Sequence, residues 1–167
     1  LGTAPLGLLA AENVPSTRLI TNFQSAGSGL NWQTVNDTVM GGISTSRIEM
    51  TGRGVARFSG TLSLENNGGF ASMRSSGNIP DLSGHDALVV RVKGDGRTYQ
   101  LRVRMGRGWR VPDYSAQIST IKGVWQEHRL PLSEFVPGWR GRKLRGIPPI
   151  DPAKVQSIGI LLGDKIP

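Results

Sequence analysis

Apolar and polar positions alternate most cleanly from Val55 to Leu64. Ala56, Phe58, Leu62 and Leu64 fall on one side, and Arg57, Ser59, Thr61 and Ser63 on the other. That period of two predicts a strand with one buried face and one wet face. Gly60 interrupts the run, which predicts a bulge or a close approach of another backbone. Shorter runs over Arg18 to Phe23, Ile43 to Met50, Phe70 to Ser75, Ala87 to Lys93, Thr98 to Met105, Tyr114 to Ile118, Trp125 to Leu130 and Val155 to Leu162 read as further strands. Gly94-Asp95-Gly96 between two of these runs predicts a β-hairpin. Pro131 to Phe135 suits one helical turn with Ser133 as its cap, and Leu6 to Glu12 another within an N-terminal arm, residues 1–17. Pro137 to Pro152 reads as an irregular loop, and residues 18–167 as one domain.

Asn31 to Ser46 fits neither period. It holds Trp32, the pair Asn36-Asp37, Met40 and the double glycine Gly41-Gly42. Glycine reaches positive φ without strain, and Asn and Asp bond their own backbone, so the segment reads as a shaped loop feeding a strand. In this reading Trp32 and Met40 pack, while Asn36, Asp37 and the glycine backbone fix the loop. Asn36 and Asp37 are also candidates for touching a ligand.

Turn signals at intervals of about ten residues, 23 glycines and 10 prolines in 167 residues point to an all-β chain. Two packed antiparallel sheets follow, arranged as a jelly roll or an immunoglobulin-like sandwich. No internal repeat suggests a propeller or solenoid.

Composition removes several chemistries. With no cysteine there are no disulfides, thiolate metal sites or cysteine nucleophiles, and the compartment stays open. The two histidines, His85 and His128, stand in no metal-binding spacing, and no serine lies in a nucleophile elbow, so no metal, cofactor or catalytic residue is assigned. Loop carboxylates and carbonyls leave calcium open as an alternative. Among the 12 acids, Asp37, Glu65, Asp95 and Asp164 stand out, but no facing pair suits glycoside hydrolysis. No apolar run approaches the roughly 20 residues of a membrane-spanning helix.

The net charge of +8, carried largely by arginine, suits an acidic partner or simply a soluble basic surface. Alternation places Ser72 and Arg74 on one strand face, and Gln100, Arg102 and Arg104 on another. On one sheet these sets would form a cationic platform. Tyr114 and Gln117 from the next strand, with Trp32 and Trp109 from loops, would add stacking surface and hydrogen bonds. The plainer alternative is a solvated strand face with packed tryptophans. The run Trp139-Arg140-Gly141-Arg142-Lys143-Leu144-Arg145 is basic and aromatic, but no nucleic-acid-binding module surrounds it.

Several motifs recur in a telling order: Trp32-x3-Asn36-Asp37-x2-Met40-Gly41-Gly42-x-Ser44-x-Ser46, then Phe58-Ser59-Gly60, Leu62 to Arg74, and Arg91 to Gly96. Trp139 to Arg142, Pro149-Ile150-Asp151-Pro152 and Ser157 to Leu162 continue the series. The series resembles the complex I intermediate-associated protein 30 family. The resemblance implies a galactose-binding-like jelly roll, akin to carbohydrate-binding modules. It also implies a non-catalytic role like that of mitochondrial chaperones of respiratory complex I assembly, with no catalytic residues to carry over. A protein partner such as a membrane-complex subunit is then expected. A carbohydrate bound by Arg74, Arg102, Arg104, Tyr114 and Gln117 is the alternative, and an enzyme the third.

Two departures matter. The family follows the Ile158 to Asp164 strand with a Gly-x-Phe-x-Leu-x-Ile strand, which predicts a missing closing strand and an exposed sheet edge. The N-terminal arm lacks a mitochondrial presequence, which points to a bacterial or organellar relative.

Overall fold

The computed structural model describes residues 16–24, 30–108 and 110–167. Among these there are eleven strands and no α-helix. The strands are β1 (Leu30–Thr34), β2 (Thr45–Met50), β3 (Ala56–Thr61), β4 (Ala71–Gly77), β5 (Ala87–Lys93), β6 (Thr98–Arg104), β7 (Asp113–Ser119), β8 (Trp125–Pro131), β9 (Val136–Trp139), β10 (Arg142–Lys143) and β11 (Ser157–Leu162). Four single 3-10 turns, Asp37–Met40, Glu65–Asn67, Leu132–Glu134 and Pro152–Lys154, punctuate them.

One layer is a seven-stranded antiparallel sheet in the order β1-β4-β11-β6-β7-β9-β10. The ladders β2-β3 and β5-β8 stand apart from it. Leu101 and Val103 of β6, Tyr114, Ala116 and Ile118 of β7, and Ile158 of β11 meet Leu88 of β5 and Leu130 of β8 in the core. Leu82, Leu132, Phe135, Ile150 and Val155 close it from the connections. Val103 and Ile118, at 0% and 1% exposed, mark its centre. Burying side chains of this size contributes about 1.5–3 kcal/mol each, so the apolar alternation of β6, β7 and β11 is what glues the layers.

Four expectations change. The clearest is the hairpin. β5 and β6 lie close to the predicted limits, yet β5 pairs only with β8, while β6 pairs with β7 and β11. Gly94-Asp95-Gly96 therefore carries the chain between layers. Alternation reports which face is buried, and two strands that face each other across a core carry the same pattern as two that lie side by side. Thr120 latches this crossing: its Oγ1 donates to the Arg97 carbonyl at 2.7 Å and accepts from the Gly96 N–H at 3.1 Å. A β-carbon on Gly94 would lie 2.2 Å from Thr120 Cβ.

Arg18 to Phe23 is not a strand, and Phe23 takes a φ of 54°. Pro137 to Pro152 is not wholly irregular, since it contains much of the β9-β10 ladder. The turn at Leu132–Glu134 forms without a side-chain cap, so Ser133 has no capping role. β11 itself is an interior strand, flanked by β4 and β6. By contrast, the close approach expected at Gly60 is present: a β-carbon there would stand 2.0 Å from the Thr45 carbonyl oxygen. The expected turn at Leu6 to Glu12 and Trp109 lie outside the described residues.

Candidate functional site

Register across the large sheet assembles the arginine platform. Gln33 of β1 stands opposite Arg74 of β4, Arg74 opposite Gly159 of β11, Gly159 opposite Arg102 of β6, and Arg102 opposite Ser115 of β7. A second row runs Ser72, Leu161, Gln100, Gln117. Opposed residues share a face, so Arg74 and Arg102 project to the same side with only a glycine between them. Arg104 opposes Ser157 one pleat further along.

Ser72, Arg74, Arg102, Arg104, Asp113, Ser157 and Gly159 line a shallow depression that opens to solvent. It holds three cations and one acid, which two of the cations pair with. Arg102 Nη1 lies 3.5 Å from Asp113 Oδ2, and Arg104 Nε lies 3.2 Å from Asp113 Oδ1. The second contact is an ion pair without hydrogen-bond alignment, since neither buried atom has a hydrogen-bond partner among the described residues. Arg104 is otherwise engaged, donating from Nη2 to the carbonyls of Gly108 at 2.6 Å and Val111 at 3.0 Å. Arg102 donates from Nε and Nη2 to Gln100 Oε1 at 3.2 and 3.1 Å. The Arg74 guanidinium makes no hydrogen bond or ion pair among the described residues. Burial, then the charge of Arg104, pushes its guanidinium below the usual arginine range, with Asp113 pulling the other way. Burial does the same to Arg102.

Tyr114 is not part of this face. It opposes Val103, is 2% exposed, and donates its hydroxyl to the Pro148 carbonyl at 2.7 Å. It belongs to the core. Gln117 does share the polar face and is exposed. Ser72 lines the depression, but its hydroxyl is spent on the Val35 carbonyl. Sequence reasoning starts β7 one residue late and so misses Asp113. Alternation with Ser115 and Gln117 is the signal that places it on the polar face.

The loop after β1 is built around a buried acid. Asp37 is 0% exposed. Its Oδ1 accepts from the Ser44 N–H at 2.9 Å, and its Oδ2 accepts from the Ser44 hydroxyl at 2.5 Å, the Gly69 N–H at 2.7 Å and the Phe70 N–H at 3.3 Å. Burial alone would raise the carboxyl, but these donors outweigh it and hold the acid below its ordinary value. Asn36 acts beside it, its Oδ1 accepting from the Ser46 hydroxyl at 2.6 Å and the Ser72 N–H at 3.4 Å. Gly41 supplies a φ of 88°, and Gly42 supplies space. Trp32 is half-buried against Phe23, with centroids 5.4 Å apart. Met40 does not pack: at 59% exposed it stands in solvent, because the 3-10 turn buries Asp37 and turns the following side chains outward.

Elsewhere, Asp164 is forked by Arg97, whose Nε and Nη2 donate to it at 2.8 and 2.5 Å. Arg140 lies 4.7 Å from the ring centre of Trp139 at the β9-β10 turn. Among the described residues no three His, Asp or Glu side chains gather as a metal site, and no helix is long and apolar enough to cross a membrane.

The model of the complex I intermediate-associated protein 30 family matches residues 21–167. The chain belongs to this family. The mouse mitochondrial complex I intermediate-associated protein 30 is 29% identical over 171 residues, covering 89% of this chain and 52% of the mouse protein. The chain thus spans about half the length of that relative. An uncharacterised protein of Schizosaccharomyces pombe is 26% identical over 149 residues, covering 79% of this chain and 68% of its own length.

Two solved structures are similar. One is the family 11 carbohydrate-binding module of the cellulosomal cellulase Lic26A-Cel5E of Clostridium thermocellum, with a TM-score of 0.59 and 15% identity, covering 89% of this chain and 85% of the module. The other is a family 11 module from the same organism in complex with a β-1,3-1,4-mixed-linked tetrasaccharide, with a TM-score of 0.60 and 15% identity, covering 86% and 84%. At that identity the likeness is one of fold. This member of the complex I intermediate-associated protein 30 family is an all-β, galactose-binding-like jelly-roll sandwich.

Proposed function

We propose that this domain is a non-catalytic binding module with an assembly-factor-like role, holding a protein partner on the arginine-bearing face of its large sheet. The observation that carries the reading is the surplus of cations there, with Arg74, Arg102 and Arg104 gathered around Asp113 in an open depression. Family membership supports it, since the matching mouse protein is named for association with a complex I intermediate. Subunits of respiratory complex I are the partners to look for, in a bacterial or organellar setting. Complementary charge across an interface steers encounter and sets register, which suits a chaperone that must hold and then release.

The test is affinity purification of the tagged chain from its source cell, followed by mass spectrometry. Complex I subunits should co-purify with the unaltered chain and be depleted with Arg74→Glu. Their absence from the unaltered preparation would refute the reading.

Carbohydrate binding on the same face is the second reading, favoured by the fold neighbour solved with a tetrasaccharide. Against it, Tyr114 points into the core, and by register no strand position of the polar face carries an aromatic side chain on which a sugar ring could stack. A glycan array showing reproducible binding that Arg102→Ala abolishes would reverse this order.

A further inference from the structure

We propose that Arg74 is a recognition residue for a carboxylate, and that the row through it holds an acidic side chain of an extended peptide segment. This rests on the protein-binding reading above and names the chemistry of that site.

The geometry leaves one complete guanidinium fork without an occupant. Arg102 and Arg104 are committed to Asp113, Gln100 and the loop carbonyls of Gly108 and Val111. Arg74 is half-buried, faces the same depression, and has no partner among the described residues. A guanidinium held in that state is poised to gain charge-assisted, bidentate hydrogen bonds from a planar oxyanion. Gly159 separates Arg74 from Arg102 in the register, so no side chain fills the gap between the two cations.

Charge and size favour a carboxylate over a phosphate. Asp113 shares the depression and would repel a dianion more strongly than a monoanion. The depression is shallow and open to solvent, which suits one acidic group rather than a bulky charged headgroup.

The flanks favour a peptide. Beyond the cations the face carries Gln33 and Ser115 in the same row, and Gln100 and Gln117 in the next. Gln33 and Gln117 are exposed, and amides offer both the donor and the acceptor that a peptide backbone needs. From Gln33 to Ser115 the row crosses five strands, about 19 Å at ordinary strand spacing, and an extended segment of roughly six residues covers that length.

The test uses the full chain, isotopically labelled, titrated at low salt by NMR. The probes are a blocked eight-residue peptide with Glu at alternate positions, its Gln twin, inorganic phosphate and polygalacturonate. The Glu peptide should shift the amides of Arg74, Gly159 and Arg102, bind at least about tenfold more tightly than the Gln twin, and weaken as salt rises. Arg74→Gln should lose at least about tenfold in affinity, and Arg74→Lys, which keeps the charge but not the fork, several-fold. The Arg74 guanidinium makes no hydrogen bond or ion pair among the described residues, so a thermal melt of each variant close to that of the unaltered chain lets lost binding report the site.

Equal binding of the two peptides, unchanged affinity in Arg74→Gln, or shifts centred on Trp139 to Arg145 would overturn the proposal. So would phosphate or polygalacturonate moving the Arg74 amide where the Glu peptide does not. If the peptide fails here while complex I subunits still co-purify, the carboxylate site falls and the protein-binding reading stands. If the peptide binds at Arg74 but no subunit co-purifies, the site stands and the assembly role falls.

Discussion

The carboxylate of Asp37 lies directly over the backbone of Gly42, where a β-carbon would stand 2.4 Å from Asp37 Cγ. Gly68 flanks the same acid from the other side, and a β-carbon there would stand 2.6 Å from Asp37 Oδ2. The two adjacent glycines of the loop therefore exist for different reasons. Gly41 has a φ of 88° and open space around it, whereas Gly42 has crowding and no positive φ.

Substituting them separately should show this. Gly41→Ala should cost about 1 kcal/mol, the strain of a side chain in the left-handed region. Gly42→Ala forces the buried acid to move and should cost about 3 kcal/mol, the upper range for overpacking. Urea denaturation of both variants measures the difference, and equal losses would contradict the assignment.

Asp37→Asn keeps the shape but sets amide hydrogens against backbone donors. With the Ser44, Gly69 and Phe70 groups left poorly matched, about 2–3 kcal/mol of stability should be lost. Binding at the arginine face should survive in the fraction that stays folded.

The pH dependence follows from the same acid. Its folded-state pKa is lowered from an ordinary 3.8, so its contribution is fully present above that value and is lost as pH falls through the folded-state one. Asp164 is lowered too, chiefly by the Arg97 fork, and acts in the same direction. Stability should therefore fall on acidification below about pH 4, and the fall should be shallower in Asp37→Asn. Thermal melts across that window decide it.

Tyr114→Phe removes only the hydroxyl that donates to Pro148. About 1 kcal/mol of stability should go, while affinity for any ligand on the polar face stays unchanged. Loss of ligand affinity at full stability would place Tyr114 back in the site.

Arg97 and Asp164 should be coupled. Their side chains are 24% and 16% exposed and meet through two parallel hydrogen bonds, so a double-mutant cycle with Arg97→Ala and Asp164→Ala should return about 1 kcal/mol or more. A coupling near zero would show an ordinary surface pair.

What the sequence discloses is local. Alternation alone puts Arg74 on one polar face, and Arg102 and Arg104 on another, and those assignments hold. That β11 lies between them, with Gly159 at the crossing point, is set by pairing between residues more than fifty positions apart, and no local pattern carries it. Grouping Tyr114 with Gln117, three positions on, breaks the strand period. A strict period of two groups Tyr114 with Ala116 and Ile118, which is where it lies. The Asn36-Asp37-Gly41-Gly42 loop is legible as structural from its residue types, but the donors that hold Asp37 come from Ser44, Gly69 and Phe70, which only the fold brings near. Met40 defeats the expectation of packing because an apolar residue beside a tight turn need not be carried inward by it.

The position of β11 also orders events in time. It is the last of the described strands to be synthesised, yet it joins β1-β4 to β6-β7-β9-β10. Until it emerges, the nascent sheet consists of two parts, each with an unpaired edge at β4 or β6. Closure must wait for β11, and a ladder built from such distant partners closes slowly. During translation, the edges of β4 and β6 are therefore left able to pair with the wrong strand until β11 arrives, and a change that slows β11 docking should appear first as aggregation during synthesis rather than as lost stability of the finished protein.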